Sequence, residues 1–155
     1  MLAVLGGAGV SGAAHAAPSA ADKAFYERAA SCVAVLEQEA SDMAGRYQPG
    51  DRTLKPALVK LTEQGFAFIG QAYLRGLRQA EADRMLRDAK AAQRSLAPDA
   101  RAQMVATCRT EGAQLYADAN GLEQALVSNR ARARVDKLLA KRRAAAAPAV
   151  AASGP

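Results

Sequence analysis

An all-α fold, a four- to five-helix antiparallel bundle stapled by one disulfide, is what this 155-residue chain predicts. Three observations carry that expectation. Half the residues are hydrophobic, but alanine supplies much of that half, with no Trp, three Phe and four Tyr. Ala together with Leu, Arg, Gln and Glu favours helix, because these side chains lose little rotamer freedom there. Apolar residues recur every three or four positions, and no β-branched run alternates as a half-buried strand would. Turn and cap signals then divide the chain into helix-length segments, and short connections make neighbouring helices antiparallel.

The first segment is read as an address. MLAVLGGAGVSGAAHAA opens with an apolar, uncharged run and closes on Ala14-His15-Ala16, a small-residue cleavage signal, so residues 1–17 are expected to be a cleaved secretory signal peptide. No Lys or Arg precedes the apolar run, which leaves the usual basic start missing. The run is too short to span a bilayer, which takes about 20 residues. Its LGGAGVSG lacks the Gly-Lys-Ser/Thr ending of a phosphate loop.

The first helix is expected from Ser19, an N-cap, to about Gly45–Tyr47. Its apolar stripe is Phe25, Ala29, Cys32, Leu36, Ala40 and Met43. Gln48-Pro49-Gly50-Asp51 reads as the turn that ends it. From Thr53 to Leu96 an unbroken helix would reach about 65 Å, too long for its partners, so a break is expected between Gly76 and Asp83. Leu54, Leu58 and Leu61 begin its stripe, and Phe66, Ile69, Tyr73 and Leu77 form the best face beyond. Gly65, Gly70 and Gly76 suggest close helix packing or a hinge, with close packing the preferred reading.

A polar helix follows, EADRMLRDAKAAQRSL, with Asp83/Arg87 and Arg84/Asp88 at i,i+4 spacing and a weak apolar edge of Met85 or Leu86, Ala89 and Leu96. Pro98 suits the first turn of the next helix, which carries Met104, Cys108, Gly112, Leu115 and Ala119. Asn120 with Glu123 reads as a capping box opening a final helix, Gly121 to Arg143. Residues 144–155, Ala- and Pro-rich, are expected to be a disordered tail. The single domain is therefore 18–143.

Two cysteines, Cys32 and Cys108, each sit in an apolar helical stripe. An even count in an exported helical domain predicts that they pair.

Charge is concentrated in one place. RARARVDKLLAKRR, residues 130–143, holds seven basic residues and one acidic, while the rest of the chain balances at fourteen each. Arg130, Arg134, Lys137 and Lys141 step by four, three and four, making one basic stripe. Val127, Ala131, Val135, Leu138 and Leu139 make the apolar side. Such a helix is a candidate contact for an anionic partner. The plainer reading is a solvated face whose cations suit a helix C-terminus. A partner protein or the envelope surface comes next. Export puts nucleic acid out of reach, and no nucleic-acid partner is expected.

Catalytic chemistry is thin. His15 is the only histidine and falls in the leader, so the mature chain would carry no imidazole for a nucleophilic triad, a His-ligated zinc or a haem. There is no CxxC, CxxCH or dinucleotide fingerprint. Glu37 and Glu111 could approach one another through the disulfide, as a carboxylate pair must. The competing expectation is that each pairs with an arginine such as Arg109. Tyr26, Tyr47, Tyr73 and Tyr116 are expected at the core edge with wet hydroxyls.

The layout, an exported helical bundle with one cysteine in the first helix and one in a late helix, resembles that of small periplasmic immunity and inhibitor proteins, in layout alone. The expectation is a non-catalytic periplasmic or secreted binding protein acting through helix faces, without cofactor, metal or transmembrane segment. The alternative is an envelope-associated structural protein docked on an anionic membrane surface by its last helix.

Overall fold

Helix α1 (Ala20–Gly45) is the element around which the others assemble. A computed structural model describes residues 17–48, 51 and 53–146. The leader up to Ala16, Pro49-Gly50 of the first turn and the tail from residue 147 lie outside the described residues. Four further helices follow: α2 (Leu54–Leu74), α3 (Gln79–Gln93), α4 (Pro98–Asp118) and α5 (Gly121–Ala146). The described residues contain no strand, and the all-α bundle is as expected. The last helix runs three residues past Arg143, into the stretch assigned to the tail.

Ser19 starts α1 through a full capping box. Its hydroxyl accepts from the Asp22 amide, and the Asp22 carboxylate accepts from the Ser19 amide. Beyond that, α1 departs from a one-sided stripe. Cys32, Val33, Ala34, Val35 and Leu36 are all buried, five in succession, because α1 packs against each of the other four helices. A helix covered all round needs apolar side chains all round, and CVAVL supplies them.

Direction follows from pairs of contacts. Cys32 bonds Cys108 at a Cα–Cα separation of 5.2 Å, and Arg28 meets Glu111 at 2.9 Å, so α4 runs antiparallel to α1. Ser128 reaches Glu63 and Asp136 reaches Lys55, so α5 runs antiparallel to α2. Glu37 and Ser41 of α1 meet Arg134 and Arg142 of α5, which makes those two parallel. The disulfide staples the first helix to the penultimate one, as the sequence predicts.

The break between α2 and α3 falls at 75–78, on the early edge of the expected window. Gly76 adopts φ 94°, the left-handed region that a side chain resists. The Leu77 amide donates to Ala72 O and the Gly76 amide to Tyr73 O, the bonds of a Schellman cap, and Leu77 is buried against the core. The glycine expected to mark close packing is thus a helix stop. Gly65 and Gly70 do not mark it either, since a Cβ on either would meet nothing within 4 Å. The close approach is at Gly112 of α4. There a Cβ would lie 2.8 Å from Gln64 O and 2.9 Å from Gln64 Cβ, so α2 and α4 touch through it.

The buried face of α2 follows the expected stripe through Leu58 and Leu61 and then departs from it. Leu58, Leu61, Ala67, Phe68 and Ala72 are buried, whereas Phe66 and Ile69 are half-buried and Tyr73 is exposed. In α3 only Gln93 is buried, with Met85 and Leu86 packed partly against the core. The expected Asp83/Arg87 and Arg84/Asp88 pairs do not form. Asp83 instead accepts from Gln79 Nε2 at 2.8 Å.

Tyr26 overturns the wet-hydroxyl expectation. It is 1% exposed, and its hydroxyl donates to the Arg75 carbonyl at the end of α2. Burial, with help from Asp22 and Glu81, pushes the phenol above its ordinary pKa, and Arg75 opposes this. Arg75 also lies 4.1 Å over the Phe25 ring and 3.7 Å from Asp22, so one side chain clamps α1 to the α2 cap. At the other end of α2, Asp51 accepts from the Thr53 hydroxyl and from the Thr53 and Leu54 amides. These bonds hold its carboxyl below the usual range.

Candidate functional site

Helix α5 begins where the sequence places it. Asn120 Oδ1 accepts from the Glu123 amide at 3.0 Å, and Glu123 accepts from the Asn120 amide at 3.1 Å, closing the capping box. Its inward stripe is Ser128, Ala131, Val135 and Leu139, and the last three have no exposed surface. Leu138 is half-buried beside them. Fully burying a Val or Leu side chain is worth roughly 1.5–3 kcal/mol, so this stripe holds the helix to α2 and α1.

Of the four basic residues singled out in the sequence, the structure keeps three on one outward ridge. Arg130, Lys137 and Lys141 are exposed and form no ion pair among the described residues. Arg134 is drawn aside toward Glu37, at 3.9 Å. Arg142, not part of that stripe, binds α1 by donating to Ser41 O at 3.3 Å and to Ser41 Oγ at 2.9 Å. Because α1 carries five acidic and two basic residues, the bundle answers α5's charge only along the seam between them.

Glu37 and Glu111 do not form a carboxylate pair. Glu37 is held by Lys90 at 2.6 Å and by Arg134, and Glu111 by Arg28. Each is an ion-paired surface acid, with Arg28 in the place expected for Arg109.

Two grooves flank α5, and neither was visible in the sequence. One, about 730 Å³, lies between α2, α4 and α5 and is lined by Lys55, Glu63, Gln64, Tyr116, Arg132 and Asp136 among others. Across it runs a hydrogen-bond chain. Ser128 Oγ donates to Glu63 Oε1 at 2.7 Å, so the Tyr116 hydroxyl, 2.7 Å away, must donate to Ser128. Gln64 Oε1 is buried beside this chain without a partner. Ser128 was legible in principle, being in register with Ala131 and Val135. Glu63 carried no signal, because its role depends on which helix lies opposite.

The second groove, about 620 Å³, is bounded by α1, α2 and α5, with the end of α3 and the start of α4 closing it. Val33, Leu36, Ala40, Leu61, Phe66 and Ile69 provide apolar wall. Lys90, Arg94, Arg101 and Arg134 line it against a single carboxylate, Glu37. Arg101 Nη2 donates to the Gln93 carbonyl at 3.2 Å, while its Nε is buried with no acceptor.

No group of three or more His, Cys, Asp or Glu residues gathers to hold a metal among the described residues, and none of their helices is long and apolar enough to cross a membrane. The chain matches no protein-family model, no curated protein and no solved structure.

Proposed function

We propose that this chain is an exported, non-catalytic binding protein of inhibitor or immunity type, which presents the α5 ridge of Arg130, Lys137 and Lys141 to an acidic partner protein. One observation carries the choice of partner: from Ala131 onward the apolar stripe of α5 is spent on the core, while Arg130, Lys137 and Lys141 stand outward, and its exposed leucines, Leu122 and Leu126, are confined to the start of the helix. A helix that lies in a membrane interface must bury an apolar face along its length in lipid, and α5 offers only Leu122 and Leu126, near its start and ahead of the ridge. What remains is attraction by charge, which steers and orients an acidic surface. The Cys32–Cys108 disulfide fits an oxidising compartment, and the Ala14-His15-Ala16 cleavage signal supplies a route to it.

Docking on an anionic envelope surface is the second reading, favoured by the same ridge but limited to electrostatic contact. Binding to poly-L-glutamate and co-sedimentation with phosphatidylglycerol vesicles separate the two. The wild type is expected to bind the polypeptide in a salt-sensitive way, and a variant with Arg130, Lys137 and Lys141 all changed to Gln is expected to lose that binding. Strong vesicle binding that the variant loses would favour the envelope reading. Binding to neither probe would return the ridge to a solvated face. The intact mass of the protein from its native host tests export, with a start at Ala17 or Pro18 expected.

A further inference from the structure

The groove of about 620 Å³ has the shape and charge of a ligand site distinct from the α5 ridge. Three observations meet there. First, Phe66 and Ile69, large apolar residues in a helix whose core face lies elsewhere, are half-buried and face this space. Second, Gly65 lies between them and Leu61 on the same wall, and a Cβ there would meet nothing within 4 Å. Helix α2 therefore leaves room where any other residue would begin to fill it. Third, four cations face one carboxylate, and Glu37 is already bound by Lys90 and Arg134. Arg94 and Arg101 have no carboxylate partner among the described residues.

Arg101 is the most specific of these features. One edge of its guanidinium is anchored on the Gln93 carbonyl, and Gln93, itself 8% exposed, is pinned by donating to Ser31 O at 2.9 Å. The Nε is removed from solvent and unsatisfied. Anchored in this way on the groove wall and with no carboxylate partner among the described residues, the guanidinium is a fixed cation for an anion that enters. An unpaired donor inside the fold is a cost that a small shift toward such an anion relieves. Apolar pockets with a few convergent polar groups, in the range of about 300–1,000 Å³, are the usual form of small-molecule sites.

We propose that this groove binds a single-chain amphiphile with an anionic head, the head on Arg101 and Arg94 and the tail along Leu61, Phe66, Ile69 and Leu138. The head is held by charge-assisted hydrogen bonds and the tail by removal from water. Neither a small anion nor a neutral chain uses both halves of the site.

Titration calorimetry of the full chain with myristate tests this, with myristyl alcohol and inorganic phosphate as comparisons. Saturable one-to-one binding of myristate is expected. The alcohol should bind at least about tenfold more weakly, and phosphate should not displace myristate. Arg101→Gln should weaken myristate by at least about tenfold and leave the alcohol unchanged. Gly65→Leu should abolish binding of both chains by filling the groove. Because leucine is the better helix former and the site is open, that variant should unfold at the same temperature as the wild type or higher. Absence of one-to-one myristate binding would overturn the proposal. So would wild-type affinity in both variants, or displacement of myristate by phosphate, which would mark a site for small anions only.

Discussion

Helices α1 and α5 are both 26 residues long, and they solve opposite problems. Contacts with four other helices let α1 bury five consecutive residues, Cys32 to Leu36, with its charges kept to the ends and one seam. Helix α5 buries only a narrow line, Ser128, Ala131, Val135 and Leu139, and turns seven cations outward along its later turns, with Leu122 and Leu126 exposed at its start. The difference teaches that helix length says nothing about how much of a helix is core. The number of neighbours decides, and the two sequences differ accordingly: CVAVL is apolar without a gap, whereas RARARVDKLLAKRR repeats its apolar residues at three and four.

The sharpest way to probe this contrast is to cut the staple on α1. Replacing Cys32 and Cys108 together by Ser is expected to cost about 4 kcal/mol, from the entropy returned to an unfolded chain no longer closed across a 76-residue separation. Urea denaturation of the oxidised wild type against the double variant measures it. A loss below 1 kcal/mol would mean that packing around α1 holds the bundle without the bridge.

The narrow stripe of α5 gives the next largest effect. Leu139→Ala, at a position with no exposed surface, is expected to lose about 3 kcal/mol in the same assay. The three-residue Gln variant of the ridge should stay within about 0.5 kcal/mol of wild type. If the two were equal, the division of α5 into a structural line and a free ridge would fail.

Smaller again is the effect at the close approach of α2 and α4. Gly112→Ala should destabilise by about 1–3 kcal/mol, since the new methyl meets the Gln64 backbone and cannot be accommodated by turning a side chain. Gly70→Ala, in open space, should be neutral or stabilise by up to about 1 kcal/mol. The pair is best compared by thermal unfolding.

The least effect is expected from alkaline pH, acting at Tyr26 on the N-terminal part of α1. Its phenol is raised above the ordinary value of 10.0, so above pH 10 the unfolded chain releases this proton before the folded one does. The unfolded state then binds fewer protons, and stability falls as pH rises through 10 until the folded phenol ionises too. Tyr26→Phe should flatten that part of the curve, measured as urea midpoints from pH 9 to 11.

Much of this fold was legible because helix signals are local. The Ser19 and Asn120 caps, Pro98 at the start of α4 and the cysteine stripes act within one or two turns of chain, and each performs its expected part. The glycines of α2 misled for the complementary reason. A glycine marks a permitted approach, turn or gap, and its own position does not say which. The last turn of α2 itself made Gly76 a cap, whereas only the neighbouring helices made Gly112 a contact and Gly65 an opening onto a groove. The basic stripe was likewise visible as a periodicity, but its loss of Arg134 to Glu37 was not, since that depends on α5 lying parallel to α1.

The sequence by itself determined that the chain is helical, roughly where each helix starts and stops, that Cys32 and Cys108 both face a core, and that one helix carries the excess positive charge. Propensity, capping and the 3.6-residue period act over a few residues and need no partner. The tertiary structure alone decided which face of α2 is core, that α1 is enclosed, that Tyr26 is buried on Arg75, and that Phe66, Ile69 and Arg101 surround one groove. Each of those depends on side chains brought together from helices far apart in the chain. Their burial and unsatisfied donors exist only after the helices have chosen their neighbours.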